Sequence, residues 1–225
     1  MSLGYGRGLR HMTKLRTHIS VSADGYVAGP DQTLDEPLGK GGENLHDWVV
    51  ALAAWRERHG KEGGEVNASS AVLDEAEENV GAEIMGRGKF GPGPGPWPDE
   101  PWNGWWGDDP PFHKPVFVLT NHEREPLTLS DTTFTFVTDG IEAALAQARD
   151  AAGDKRIGLM GADVERQFLA AGLVDELRIH LVDVLLGDGR RLFERLPERI
   201  ELEQTGLSET DGVTHLEYRV RNGAG

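Results

Sequence analysis

No cysteine occurs in the 225 residues, so the chain builds neither a disulfide framework nor a thiolate metal site and has no cysteine nucleophile. Long apolar runs are absent too, and nothing approaches the roughly 20 residues that a membrane-spanning helix needs. Positive charge is scarce. Lysine and arginine number 23 against 38 acidic residues, a net charge of −15 that repels nucleic-acid backbones and anionic lipid. Nucleic acid and membrane are therefore not expected as partners, and an anionic ligand needs a local cluster of cations or backbone N–H groups. The histidines show no H-x-H or H-E-x-x-H spacing, no acidic loop has the calcium pattern, and no G-x-S-x-G elbow is present. No metal site is expected.

What is there suits a soluble protein with a packed core: 38% of residues are hydrophobic and 27% charged. The lack of cysteine fits a reducing compartment, and a cytoplasmic protein is expected. Residues 1–11, rich in Gly and Arg, read as a tag-like leader, with 12–225 as one domain. Hydropathy alternates over residues 15–21 up to the turn signal Asp24-Gly25, which predicts a first strand. Leu45, Trp48, Val49, Leu52 and Trp55 fall at helical spacing and predict a helix over 43–59. A second helix is expected over about 70–80. Strands are expected at 82–85, 116–119, 133–137, 157–160 and 176–186, with helices at about 141–152 and 163–171. Asp139 and Glu142 have capping-box spacing, and Gly172 is placed to end the last helix. Asp211-Gly212 predicts a terminal hairpin.

Residues 91–115 stand apart. They hold eight of the 12 prolines and four of the six tryptophans, a composition that forbids helix and central strand yet carries too much apolar surface for a solvated linker. An ordered loop folded over something is expected. Strands alternating with helices predict one α/β domain, its largely parallel sheet covered on both faces and the hairpin antiparallel at one edge.

Three strand ends carry polar or glycine-rich turns. Gly86-Arg87-Gly88-Lys89-Phe90-Gly91 spells G-x-G-x-x-G, but Pro92, Pro94, Pro96 and Pro98 deny it the long helix of a dinucleotide fingerprint. What remains is a glycine turn with two cations, suited to a phosphate and equally to an ordinary basic turn. Gly161, Ala162, Asp163 and Val164 lead from a strand into a helix, where free N–H groups favour an anion unless Asp163 caps them. Leu119, Thr120, Asn121 and His122 end a third strand. Together these ends form a rim suited to an elongated, phosphate-bearing ligand such as a dinucleotide. For acid–base work the first helix offers Glu43, His46 and Asp47, the two acids four apart on one face; they also suit a helix start. His180, mid-strand, reads as packed or solvent-facing rather than as a ligand.

Four blocks resemble the dihydrofolate reductase-like superfamily, and within it the reductase domain of the bifunctional riboflavin-biosynthesis deaminase-reductase and its stand-alone relatives. They are Ser22-Ala23-Asp24-Gly25-Tyr26-Val27-Ala28-Gly29, Ile84-Met85-Gly86-Arg87-Gly88-Lys89-Phe90, the strand ending at Asn121, and Gly172-Leu173-Val174-Asp175-Glu176-Leu177 with Leu185-Leu186-Gly187-Asp188-Gly189-Arg190-Arg191-Leu192-Phe193. The resemblance covers nearly the whole chain from Met12. It departs at Met160, where the family usually has the first Gly of a pair, and at Asp183, where relatives often carry Pro. It implies a three-layer α/β/α fold, NADPH across the strand ends and a homodimer. Gly86, Arg87, Gly88 and Lys89 are then expected near the phosphates, Leu119, Thr120, Asn121 and His122 near the 2′-phosphoribose, and Gly161, Ala162, Asp163 and Val164 near the pyrophosphate. Asp47 is the expected catalytic acid, with Glu43 second. Trp48, Trp102, Trp105 and Trp106 are expected as a wall or lid stacking on a small, planar pterin- or pyrimidine-like substrate. The expected activity is NADPH-dependent hydride transfer to such a heterocycle, of the riboflavin-pathway ribosylaminopyrimidine reductase type by resemblance, with a substrate different from that pathway's own. The alternatives are a dihydrofolate reductase and a non-catalytic NADP-binding sensor or scaffold.

Overall fold

A computed structural model of the protein describes residues 14–93, 95–194 and 196–221. The leader expected over residues 1–11 lies outside them. Strand β1 (Leu15–Ser22) is central and pairs in parallel with β7 (Arg156–Met160) on one side and β8 (Glu176–Val182) on the other. Beyond β7 the parallel sheet continues through β3 (Val80–Gly86), β4 (Pro115–Leu119) and β6 (Thr132–Val137). The expected hairpin forms from β10 (Glu201–Thr210) and β11 (Val213–Arg221), and β11 lies antiparallel on β8. At the opposite edge β5 (Leu127–Leu129) runs antiparallel to β6, giving the order β10-β11-β8-β1-β7-β3-β4-β6-β5.

Side-chain alternation sends the two sets of β1 residues to different layers. Leu15, Ile19 and Val21 face α5 (Ile141–Ala152) and α6 (Ala162–Ala170), whose Leu145, Ala148, Phe168 and Leu169 complete the main core. Arg16, His18 and Ser20 face the opposite layer, built from a 3-10 turn (Gly42–His46), α1 (Asp47–Val50), α2 (Ala53–Arg58) and α3 (Ala68–Glu77). There Arg16 and Arg178 pair with Glu75, and Trp48 donates to Ser20 Oγ at 3.1 Å. The one-turn helix α4 (Arg87–Phe90) follows β3, ending where the prolines begin.

Two of the sequence motifs prove to be halves of one joint. The Asp24 carboxylate accepts from Ser22 Oγ at 2.6 Å and from the backbone N–H groups of Leu186 at 3.1 Å and Gly187 at 2.7 Å. These bonds hold Asp24 below the usual carboxylate range. They also dock β2 (Tyr26–Ala28) onto β9 (Arg190–Arg191) as a small separate sheet. At Gly189, φ is 130° and a Cβ would stand 2.1 Å from the Ala28 carbonyl oxygen, so the joint requires glycine there.

The helix expected over 43–59 is broken. Leu52 takes an extended conformation (φ −70°, ψ 138°), and its neighbours exchange backbone bonds with Glu65: Ala53 N–H to Glu65 O, and Glu65 N–H to Ala51 O, each at 2.8 Å. Tertiary pairing overrides the helical spacing there. Asp139 does not cap α5, whose N-cap is Gly140 without a side-chain bond. Nor does Asp163 cap α6: the N-cap is Gly161, and the Asp163 carboxylate pairs with Arg166 and Arg190 instead.

The described residues of the proline-rich loop fold over a second core of Met85, Phe90, Val116, Val118 and Phe134. Trp102 donates its indole N–H to Phe90 O at 2.8 Å, and Trp97 to His122 O at 3.0 Å. Trp106 packs on Phe112 and Phe134. The indole N–H groups of Trp97 and Trp102 thus each find an acceptor, as burial of that group demands. Trp106→Ala is expected to lower the unfolding free energy by about 3 kcal/mol, the lower end for loss of a large aromatic ring; urea denaturation measures it, and a change inside error would mean the loop is not integral to the core.

Candidate functional site

The carboxyl ends of β1, β3, β7 and β8 meet at a cavity of about 790 Å³, a size that accommodates small ligands. Gly86, Gly88 and Lys89 border it from β3 and α4, and Gly161, Ala162, Asp163 and Val164 from the start of α6. The first N–H groups of a helix have no acceptor within it. With no side chain capping α6, those of Ala162, Asp163 and Val164 remain available to an anion. Gly86 leaves little room here: a Cβ there would approach Val164 Cγ2 to 2.9 Å, so the valine side chain would have to shift.

Across the cavity stand Val27, Leu38, Trp48 and Val49, with Trp105 at the loop side. Of the four tryptophans expected as a substrate wall, Trp48 and Trp105 border the cavity. Trp102 and Trp106 do not; their rings are spent on the second core. Leu119, Thr120, Asn121 and His122 lie outside the cavity at the far end of the same sheet edge. The Thr120 hydroxyl accepts the His122 N–H at 3.2 Å, which closes that turn. Arg87 also lies outside: it stacks on Trp97 at 3.5 Å and donates to Gly91 O.

Glu43 and Asp47 are exposed and do not border the cavity. The expectation that they share a face assumed α-helical winding. The 3-10 turn brings residues three apart into line, setting Glu43 over His46. Asp47 accepts from Asn44 Nδ2 at 3.0 Å, and the cavity instead receives His46.

Several polar groups reach the site; of these the sequence reading assigns Lys89 to the phosphates and offers His46 for acid–base work, and it leaves Glu165, Thr17, His18 and Arg124 unassigned. Glu165, on α6, has no exposed surface, and neither carboxylate oxygen has a hydrogen-bond partner. The Thr17 hydroxyl and the Gly161 backbone N–H face it and favour its charged form, against the larger effect of burial. Burial pushes the Glu165 carboxyl up to about 8. Lys89 shows surface to the cavity, yet protein surrounds its ammonium, and that burial lowers its pKa while Glu165 pulls the other way. His18 and His46 line the cavity, where burial lowers the pKa of both and favours the neutral imidazole; both His18 ring nitrogens and His46 Nδ1 lack partners among the described residues. At the outer corner Arg124 reaches over Trp97 at 4.8 Å and donates to Trp102 O at 2.6 Å. Among the described residues neither Arg87 nor Arg124 has a carboxylate partner. Burial, with Arg124 close by, lowers Arg87 to about 10. An acid at a core position of α6 was a readable signal for Glu165. Arg124 sits in a loop with no pattern to mark it.

Glu165 gives the site a pH signature. Between 4.5 and about 8 the folded chain holds this proton and the unfolded chain does not, so its contribution to stability is full at low pH and lost as the pH rises through that range. Glu83, equally buried and pushed up to about 8, adds a second slope of the same sign. Glu165→Gln is therefore expected to show a shallower fall of Tm between about pH 5 and about pH 8.5 than the native chain. Equal slopes in differential scanning calorimetry would mean that the carboxylate is ionised throughout.

A model of the RibD C-terminal domain matches residues 13–216. The uncharacterized protein YwjB of Bacillus subtilis is 27% identical over 105 residues, 47% of this chain and 59% of YwjB. Among solved structures, a protein of Shewanella sp. PV-4 assigned to riboflavin biosynthesis superposes with a TM-score of 0.63 at 22% identity, covering 93% of this chain and 99% of the other. The diaminohydroxyphosphoribosylaminopyrimidine deaminase/5-amino-6-(5-phosphoribosylamino)uracil reductase of Thermotoga maritima gives 0.56 at 12% identity, over 93% of this chain and 57% of that one. The riboflavin biosynthesis reductase Rib7 of Saccharomyces cerevisiae gives 0.52 at 12% identity, over 95% and 91%. This chain thus spans little more than half the length of YwjB and of the Thermotoga protein. At these identities the solved structures speak for the fold, and the match to the domain model runs through all four motif blocks: the chain belongs to the RibD C-terminal domain family, with its riboflavin-pathway reductase-like α/β fold.

Proposed function

We propose that the protein is an NADPH-dependent reductase of a small, planar, polar heterocycle. The observation that carries this reading is a strip receptive to anions along the sheet's carboxyl edge, in a chain whose net charge is −15. It runs from the uncapped start of α6 and Lys89 to Arg87 and Arg124, which have no carboxylate partner among the described residues. A dinucleotide carries its charge in that order, pyrophosphate then 2′-phosphate. The N–H groups of Ala162, Asp163 and Val164, with Lys89, suit the pyrophosphate. Arg87 and Arg124 suit a dianionic phosphate, which removes their mutual repulsion.

When bound, the cofactor supplies a hydride to an electrophilic carbon of the substrate. The chain's own residues bind, orient and exclude water. Trp48 and Trp105 offer ring faces to a flat substrate, and Val27, Leu38 and Val49 keep its surroundings dry. The free nitrogens of His18 and His46 suit the polar edge of a pterin or aminopyrimidine, because neutral imidazoles both donate and accept.

Tryptophan fluorescence titrated separately with NADPH and NADH tests the reading. Saturable quenching is expected with NADPH, reversed by 2′-phospho-AMP, and much weaker quenching with NADH. Arg124→Gln is expected to weaken NADPH roughly ten- to hundredfold, the worth of a charge-assisted contact, and to leave NADH unchanged. Absence of binding by either dinucleotide would defeat the proposal.

A further inference from the structure

Three strands set polar side chains in one row on the face that carries α1 and α3. Ser20, His180 and His215 are register partners across β1, β8 and β11, so they stand side by side. Trp48 covers the row, its ring 4.7 Å from that of His180 and 4.9 Å from that of His215. A continuous chain of hydrogen bonds leads outward from the cavity. His180, which lines the cavity, places Nδ1 2.8 Å from His215 Nδ1. His215 Nε2 lies 2.8 Å from Ser69 Oγ, and Ser69 Oγ 2.8 Å from Thr210 Oγ1. Thr210 is half-buried where β10 meets the exposed turn at Asp211 and Gly212.

Two imidazole nitrogens at bonding distance hold one proton between them: two N–H groups would repel, and two lone pairs would not bond. The position of that proton sets the rest of the row. With the proton on His215 Nδ1, His215 Nε2 is bare and takes the Ser69 hydroxyl proton. His180 then carries its own proton on Nε2, which has no hydrogen-bond partner among the described residues.

We propose that Thr210, Ser69, His215 and His180 form a proton relay that presents a transferable N–H, on His180 Nε2, to the substrate in the cavity. The inference rests on the reductase reading, in which the hydride comes from a reduced nicotinamide dinucleotide. As the substrate carbon is reduced, its neighbouring heteroatom gains an electron pair and takes the proton from His180 Nε2. His180 Nδ1 takes the His215 Nδ1 proton, His215 Nε2 takes that of Ser69, Ser69 takes that of Thr210, and surface water replaces the last. The shift leaves no imidazolium behind. That matters because burial and the nearby His18, His46, Arg178 and His215 oppose a charge on His180, holding its pKa down to about 3, and burial holds His215 down to about 4. After product leaves, cavity water returns a proton to His180 Nε2, the row runs back, and Thr210 releases one to solvent. Water is the net proton source, and the relay holds a proton ready while the substrate excludes water. His180 is the catalytic residue of this row; His215, Ser69 and Thr210 act through it.

Imidazole 15N NMR of the full chain tests the relay with no substrate present, His180 and His215 being assigned from single His→Gln variants. Both rings are expected neutral between about pH 6 and about pH 8, His215 as the Nδ1–H tautomer and His180 as the Nε2–H tautomer. A His180 ring protonated on Nδ1 with bare Nε2 would overturn the proposal. Ser69→Ala keeps the backbone bond to Asn67 and removes the hydroxyl that joins His215 to Thr210. It is expected to mix the tautomers, and an unchanged spectrum would overturn the relay. In single turnovers with NADPH and 6-methyl-7,8-dihydropterin as a C=N probe, Ser69→Ala is expected to slow reduction about tenfold while NADPH quenching is unchanged. An unchanged rate, or an equal loss of NADPH affinity, would count against it. Failure to bind NADPH would defeat the reductase reading, and the tautomer spectra would still decide the relay.

Discussion

Parallel strands cannot be joined by a tight turn. Because β8, β1, β7, β3, β4 and β6 all run one way, each connection between them must cross a face of the sheet, and all their carboxyl ends emerge on one side. That constraint brings the glycine turn after β3 and the uncapped start of α6 to a single cavity, although 70 or so residues separate them in the chain. Side-chain alternation then divides the labour: one face of β1 builds the hydrophobic core with α5 and α6, and the other carries His18 and Ser20 to the cavity.

The parts of this arrangement legible in the sequence are those governed by local rules. Alternation marked β1, the strand-to-helix step at Gly161 marked α6, and Asp211-Gly212 marked the final hairpin. The failures have a common physical cause. Glu43 and Asp47 share a face only on an uninterrupted α-helix, and the exchange of backbone bonds around Leu52 and Glu65 is a long-range event with no local signature. Trp102 and Trp106 were legible as apolar surface needing a partner, but their partner is Phe90, Phe112 and Phe134 rather than a ligand.

The site residues that escaped the sequence reading share a different feature: their chemistry comes from company. His180 alone is an ordinary strand residue. It gains a role from being in register with Ser20 and His215, and register is a property of pairing between distant strands. Arg124 likewise matters because Arg87 and Trp97 are beside it. Glu165 is the exception, since an acid among Ala162, Phe168 and Leu169 on one helical face contradicts the pattern of its own helix.

The central place of β1 also governs how the chain is made. Leu15 pairs with Ile157, and Thr17 with Leu177, so the first strand has no permanent neighbour until most of the polypeptide has been synthesised. Contacts of such sequence separation slow folding, and a waiting apolar strand is exposed to wrong partners on crowded ribosomes. The alternation of Arg16, His18 and Ser20 with Leu15, Ile19 and Val21 then acts during biogenesis as well. A strand with one polar face is a poorer seed for aggregation than one that is apolar on both while it waits for β7 and β8.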